Sequence, residues 1–308
     1  MTGSGFSRRR FLAITATLGL AAGPAAAQPT TRWRGLALGA EAEITLLGPK
    51  RAAGLALRAA KQSLRDLERL FSLYDPESDL VRLNRSGRLD APAADFVALL
   101  RLADEIHSAT DGLFDPTIQP LWRALADRAG GAAVAAALSR IGWSGLTFDD
   151  RSVAFRHPGM AMTFNGIAQG FATDRVSNLL RGFGFSETLV NIGEFRAGDG
   201  GWQIGVADPA FGLVAKRRLE RGALATSSPS ALLFGEEGPG HILNPRRPRQ
   251  TAPWSTVSVE AKTAAEADGY STAFTLLDAA AIRSVFQSTP ALRRIVLVGR
   301  DGTVTDMT

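Results

Sequence analysis

The stretch WRGLALGAEAEITLL, residues 33–47, alternates apolar with polar or small side chains, the period-two pattern of a half-buried strand. It runs almost directly into RAAGLALRAAKQSLRDLERLF, residues 51–71, where apolar side chains recur at spacings of three and four, as on an amphipathic helix. Working outward, residues 95–109 predict a second helix closed by Asp111-Gly112, and residues 130–138 an alanine-rich third. Short β-like runs follow at 146–155, 188–192, 202–207, 256–260 and 294–298, interleaved with helical stretches at 168–180 and 264–286. Helices and strands mixed without a strict βαβ rhythm predict an α+β fold. Beyond residue 27 about 281 residues remain, with no Ser/Gly/Pro linker, internal repeat or low-complexity tract, so residues 28–308 are expected to form a single large domain.

Residues 1–27 are set apart from that domain. Ser7-Arg8-Arg9-Arg10-Phe11-Leu12 is a basic segment with a twin-arginine signature, and residues 11–22 form an uncharged run too short to span a bilayer comfortably. Ala25-Ala26-Ala27 supplies the small residues of a signal-peptidase site, so the mature chain is expected to start near Gln28. The reading is a twin-arginine signal peptide and a periplasmic protein exported already folded, often with a ligand bound. Its competitor is an uncleaved signal that keeps the protein at the membrane.

Composition excludes several chemistries. The chain has 35 Lys and Arg against 30 Asp and Glu, but three of the arginines lie in the signal, which leaves the remainder near +2. Basic residues are mostly scattered, with a compact cluster at Arg246-Arg247-Pro248-Arg249, and no aromatic interleaving marks a stacking platform; nucleic acid is not an expected partner. The absence of cysteine removes disulfides, thiolate metal sites and cysteine nucleophiles. With three histidines, His107, His157 and His241, a clustered zinc site is not expected.

Five stretches carry chemistry. Residues 71–84 place Ser72, Tyr74 and Asp75 in a polar turn after a helix, where the Tyr74 ring can stack on a planar ligand or simply sit at a surface edge. Residues 110–117 embed Leu113 and Phe114 in a turn sequence, as a ligand-lining loop or as ordinary loop packing. Residues 163–174 bring Gly166 and Gly170 to a helix start, permitting a close approach to phosphate, although the spacing is neither a Walker loop nor a dinucleotide fingerprint. His241-Ile242-Leu243-Asn244-Pro245 offers one histidine, structural or catalytic. Residues 264–274 put Asp268 and Thr272 four apart on one helical face, a carboxylate and a hydroxyl available to a hard cation, or else a cap and a back-bonding threonine.

Taken in order, these stretches resemble the ApbE family of FAD:protein FMN transferases over essentially the whole mature chain. The Ser-x-Tyr turn, the Gly-x-Phe-Asp loop, the segment 166–174, Leu189-Val190-Asn191-Ile192-Gly193-Glu194, Ala225-Thr226-Ser227, the His-Ile-Leu-Asn-Pro motif and the Ala-Asp-x-x-Ser-Thr-Ala helix all take part. The resemblance implies an α+β domain related to the T-fold. It implies a magnesium site at the Asp268 and Thr272 side chains and the Gly166 carbonyl. It also implies flavin-nucleotide contacts at Leu38, Tyr74, Leu113, Phe114, Asp115, Thr163 and Gln169, with His241 beside the reacting phosphates. Thr163 stands where the family often has Asp, Gln169 where it often has Lys or Glu, and Ser228-Pro229 where Gly-Asp commonly follows the Thr-Ser pair. The Asn165–Gly170 wording resembles a branch associated with nitrous oxide reductase maturation.

The implied reaction transfers FMN from FAD to a threonine or serine hydroxyl of a partner protein, with Mg2+ at the pyrophosphate and AMP leaving. Asp268 as metal ligand and His241 as a group orienting the hydroxyl or moving its proton are the implied catalytic residues. The implied partner is an acceptor protein with a short Thr/Ser motif, usually a membrane redox subunit. The rival readings are a magnesium-dependent FAD pyrophosphatase, with water in place of the hydroxyl, and a non-catalytic FAD-binding accessory protein.

Overall fold

The computed structural model describes residues 28–235 and 238–308, together with the backbone of residues 16–17; the remainder of the expected signal peptide lies outside the described residues. In chain order the elements are β1 (Ala16–Thr17), β2 (Thr30–Ala37), β3 (Ala40–Leu47), α1 (Lys50–Phe71), α2 (Asp79–Ser86), β4 (Arg88–Asp90), α3 (Ala94–Ala109), α4 (Gln119–Ala126) and α5 (Gly131–Leu138). There follow β5 (Leu146–Phe148), β6 (Ser152–Phe155), α6 (Ala168–Gly182), β7 (Thr188–Ile192), β8 (Phe195–Ala197), β9 (Trp202–Asp208), β10 (Gly212–Leu219) and β11 (Ala223–Ser227). The chain closes with β12 (Trp254–Ala261), α7 (Ala264–Phe274), α8 (Ala279–Ser288), β13 (Leu292–Gly299) and β14 (Val304–Met307). The α+β expectation holds.

Local chemistry explains where the expected elements divide. Residues 33–47 form two strands, because Leu38 and Gly39 both take positive φ, 50° and 80°, the requirement of a two-residue hairpin turn matched to strand twist. The run 146–155 divides likewise into β5 and β6, joined by a turn in which the Asp149 carboxylate accepts from the Arg151 and Ser152 N–H groups. The stretch 264–286 breaks at residues 275–278, where Asp278 caps α8 by accepting from Ala281 N–H. Helix α2 interrupts what reads in sequence as a polar turn; Ser78 caps it through Val81 N–H, and Gly87, φ 76°, ends it.

Eight strands form one antiparallel sheet in the order β14-β13-β12-β11-β8-β7-β3-β2. One face is covered by helices. Helix α1 presents Ala53, Ala56, Leu57, Ala60, Leu64, Leu67 and Phe71 inward, the three-and-four spacing realised as a buried stripe, and packs on α6. Helix α6 in turn packs on α7, and α7 lies on β11 and β12. Phe71, Phe96, Phe164 and Phe171 meet at ring centroids 5.4–5.9 Å apart in the main core. On the opposite face Leu189, Phe195, Ala197 and Leu224 of the large sheet meet Trp202, Ile204 and Val206 of β9 and Leu219 of β10 in a second core. Buried on both faces, the β11–β12 region is the floor beneath α7.

Candidate active site

The site begins where α6 and α7 cross antiparallel, touching at three levels whose residue numbers step by four in opposite senses, one helical turn each. At the first level Asp174 of α6 accepts from the Ala264 and Ala265 N–H groups, both at 2.9 Å, and so caps α7. At the second, Asp268 Oδ2 accepts from Gly170 N–H at 3.0 Å. This supplies α6 with a cap that Ile167, at its own N-cap position, lacks the side chain to give. At the third, Thr272 Oγ1 lies 3.5 Å from the Gly166 carbonyl oxygen. Gly170 makes the approach possible, because a Cβ there would stand 2.3 Å from the Ala264 carbonyl oxygen.

The three expected metal groups therefore converge. Asp268 and Thr272 project from one face of α7, and the Gly166 carbonyl arrives from the turn before α6. A Cβ on Gly166 would sit 3.0 Å from Thr272 Oγ1, so a larger residue would fill the space between the donors. Gly170 N–H occupies Oδ2, and no hydrogen bond from the described residues reaches Oδ1. Among the described residues no three His, Cys, Asp or Glu side chains gather as a metal cluster, so a cation here would draw on one carboxylate, one hydroxyl and one carbonyl. All three are hard oxygen donors, which suits Mg2+.

Electrostatics sharpen this fit. Burial pushes the Asp268 carboxyl up to about 7, the Asp174 charge adds to the effect, and the Gly170 hydrogen bond opposes it. Glu194 is buried beside it and raised well above the ordinary carboxylate range, first by burial and then by the Asp268 charge, while its bond from Thr226 N–H, 3.1 Å, pulls the other way. Asp174 is also raised by burial, against the Arg196 guanidinium that pairs with it. Of these three buried carboxylates only Asp174 has a guanidinium partner among the described residues, so a cation beside Asp268 would offset charge that burial otherwise disfavours. Ser227 completes the floor, with Oγ 2.8 Å from Ser271 Oγ and 3.4 Å from Thr272 Oγ1.

The remaining expected residues surround this centre unevenly. Leu38, at the β2–β3 turn, is held by its N–H to Glu68 Oε1 at 2.9 Å and by the Gln169 amide donating to its carbonyl at 3.4 Å. Gln169 lies over Gly193, where a Cβ would meet Oε1 at 2.5 Å. Thr163 is buried, its N–H on the Pro116 carbonyl and its hydroxyl accepting from Asn165 N–H at 3.1 Å. Tyr74 is 70% exposed. Leu113 is half-buried, whereas the Phe114 ring belongs to the main core and its carbonyl bonds His107 Nδ1 at 2.8 Å. Asp115 accepts from the Thr117 N–H and hydroxyl, at 2.8 and 2.6 Å, which shapes its loop.

His241 is half-buried, its Nδ1 3.2 Å from the Pro229 carbonyl and its backbone N–H on Leu232 O. Burial lowers its pKa below the ordinary histidine value, so the ring is neutral near pH 7. With Nδ1–H donated to Pro229, Nε2 keeps its lone pair. Pro229 stands two residues beyond Ser227, which ties the histidine's support to the floor of the metal-competent cluster. Arg246 then pairs with Asp111, Nη1 to Oδ2 2.9 Å, and also donates to the Asp111 carbonyl, fastening the histidine segment to the 110–117 loop.

The ApbE family model matches residues 38–296. The chain belongs to the ApbE family. Its curated relatives include the FAD:protein FMN transferase of Haemophilus influenzae, 26% identical over 243 residues covering 70% of each chain, and one from Klebsiella pneumoniae, 26% identical over 275 residues covering 79% of this chain and 77% of the relative. Among solved structures it resembles the apo flavinyl transferase ApbE of Pseudomonas stutzeri, with a TM-score of 0.80 at 22% identity over 92% of this chain and 96% of that one. It also resembles the ApbE protein of Thermotoga maritima, TM-score 0.79 at 24% identity over 90% and 96%. Within this ApbE fold Asp174, Glu194 and Ser227 stand out beside residues that the motifs single out. Each lies within a quoted motif, but its part depends on a contact to a distant segment that spacing alone does not reveal.

Proposed function

We propose that this chain transfers FMN from FAD to a threonine or serine hydroxyl of a partner protein and releases AMP. The observation that carries the proposal is the convergence of buried Asp268, Thr272 and the Gly166 carbonyl at the α6–α7 crossing of an ApbE-family fold. Asp268, Thr272 and the Gly166 carbonyl would hold Mg2+, which when bound supplies Lewis-acid neutralisation of pyrophosphate charge. In the transfer the acceptor oxygen attacks the phosphorus of the FMN half, the bond to the AMP phosphate breaks, and the hydroxyl proton leaves. His241, neutral and with Nε2 available, orients that hydroxyl or takes its proton. The exposed Tyr74 ring and the loop of Leu113, Phe114 and Asp115 position the flavin nucleotide, with Leu38, Thr163 and Gln169 completing its surroundings.

The acceptor is a redox protein at the membrane, reached from the periplasm by export through the twin-arginine signal of residues 1–27. Incubating residues 28–308 with FAD, Mg2+ and a domain bearing an acceptor threonine, then weighing the products by mass spectrometry, tests the reaction. An FMN mass on the acceptor that requires Mg2+ and vanishes in Asp268→Ala supports transfer. FMN and AMP released without labelling would replace transfer by hydrolysis, and FAD bound but intact would leave an accessory flavin-binding protein.

A further inference from the structure

The compact basic cluster at residues 246–249 takes no part in the proposed transfer. The turn that carries it is built to present side chains outward. Asn244 Oδ1 accepts from the Arg246 and Arg247 N–H groups at 2.9 and 3.0 Å, Asn244 Nδ2 donates to Gln250 Oε1 at 3.1 Å, and Gln250 N–H bonds the Arg247 carbonyl. Arg246 is engaged by Asp111. Arg247 and Arg249 are exposed, and among the described residues no carboxylate pairs with either.

These two arginines and Pro248 form one wall of an open groove of about 480 Å³. The other wall is α5, through Val134, Ala135 and Leu138. Helix α5 reads GAAVAAAL and buries Ala137 alone, so it shows a face of small apolar side chains. A concave slot with a mostly small-residue wall and two exposed guanidinium groups that no described carboxylate pairs suits an extended chain carrying carboxylates beside small apolar side chains. It suits a bilayer poorly, because its larger apolar side chains, Val134 and Leu138, are half-buried in the wall and leave little to insert.

Its position ties the groove to the active site. The same turn holds Arg246 against Asp111, at the head of the loop bearing Leu113 and Asp115, and follows His241 by three residues at Asn244. The groove thus borders the turn that links the histidine segment to the 110–117 loop. We propose that this groove docks the acceptor protein, through a segment with aspartate or glutamate beside small apolar residues near the acceptor hydroxyl. The assignment of the occupant rests on the transferase reading of the site.

The test is fluorescence anisotropy of the purified protein, with FAD and Mg2+ present, against a labelled synthetic peptide in which a central threonine is flanked by aspartates and a leucine. Matched peptides carry asparagine or lysine at the aspartate positions. Wild type should bind the aspartate peptide about tenfold more tightly than the asparagine peptide, with the preference shrinking as salt rises. The double variant R247E/R249E should lose that preference, and R247K/R249K should keep most of it, since charge carries the selection. FAD affinity and melting temperature should be unchanged in both variants, which alter exposed side chains. Equal binding of the three peptides overturns the proposal, as does loss of FAD affinity in R247E/R249E, which would assign the arginines to the nucleotide. Arginine-dependent capture on phosphatidylglycerol vesicles without peptide discrimination overturns it in favour of a membrane surface. Discrimination that persists in a protein adding no FMN to any acceptor supports an acidic occupant and sinks the transferase reading instead.

Discussion

Replacing Gly170 by alanine tests whether the α6–α7 crossing sets the site. The new Cβ would stand 2.3 Å from the Ala264 carbonyl oxygen, 2.6 Å from the Ala264 carbonyl carbon and 2.8 Å from Ala265 Cα, whereas ordinary contact begins near 3.4 Å. These are backbone atoms and cannot swing aside, so α7 must move by roughly 1 Å relative to α6. Alanine in a helix gains up to about 1 kcal/mol over glycine. Against it stand overpacking of about 1–3 kcal/mol and weakening of the Gly170–Asp268 and Asp174–Ala264 bonds at about 1 kcal/mol each. The net expectation is a loss of about 2–4 kcal/mol, or roughly 4–16 °C in Tm. A displacement of this size between Gly166 and Thr272 should also slow FMN transfer by roughly 10²-fold. Thermal melting by circular dichroism and mass-spectrometric transfer rates read the two effects. The control is Gly54→Ala in α1, where the nearest atom to a new Cβ is the Arg58 guanidinium at 3.8 Å and stability should rise slightly. If Gly170→Ala melts and reacts like Gly54→Ala, the close crossing does not govern the site.

Three further substitutions probe the buried charges. Because the folded-state pKa of Asp268 is raised from 3.8 to about 7, the metal-free protein should lose stability as pH rises through that window, by up to about 4 kcal/mol. Asp268→Asn keeps an acceptor for Gly170 N–H and lacks the titration, so in EDTA its urea midpoint should gain on wild type between pH 4 and 7 and then level off; a gap independent of pH refutes the assignment. His241 is held below the ordinary histidine value, so the acid limb of the transfer rate should fall below pH 6.5, and His241→Gln should lower the rate and flatten that limb. Asp174→Ala strands Arg196 and frees the Ala264 and Ala265 N–H groups together, though the Thr263–Glu266 capping box of α7 stays, and denaturant titration should show a loss of about 3–5 kcal/mol; a loss below 1 kcal/mol would mean that neither contact stabilises the fold.

Much of this architecture is written in local pattern. Helix α1 follows from the spacing of its apolar residues, and the paired faces of Asp268 and Thr272 follow from their separation by four. Strand boundaries are harder to read. The alternation at residues 33–47 continues through Leu38-Gly39, and only the two positive φ angles reveal a hairpin. Helix α2 hides in a polar segment because its stability comes from Ser78, Gly87 and the burial of Leu80 and Leu83 rather than from a long apolar stripe. Phe114 shows the limit at the site: its place in a ligand-lining motif says nothing of its ring, which packs in the core and leaves its carbonyl to His107.

By itself, then, the sequence determined the α+β class, the candidate oxygen donors and the family resemblance, because periodicity and motif order are properties of short segments. Tertiary structure decided what those donors become. The Gly166 carbonyl meets Thr272 across 106 positions of chain, and Asp268 gains its raised pKa from burial against α6 and from the charge of Asp174. His241 is neutral because burial disfavours its charge and outweighs the carbonyl twelve residues away, which accepts from the ring and pulls the other way. Such properties come from desolvation and from contacts between distant segments, and they exist only once α6, α7 and the sheet have packed together.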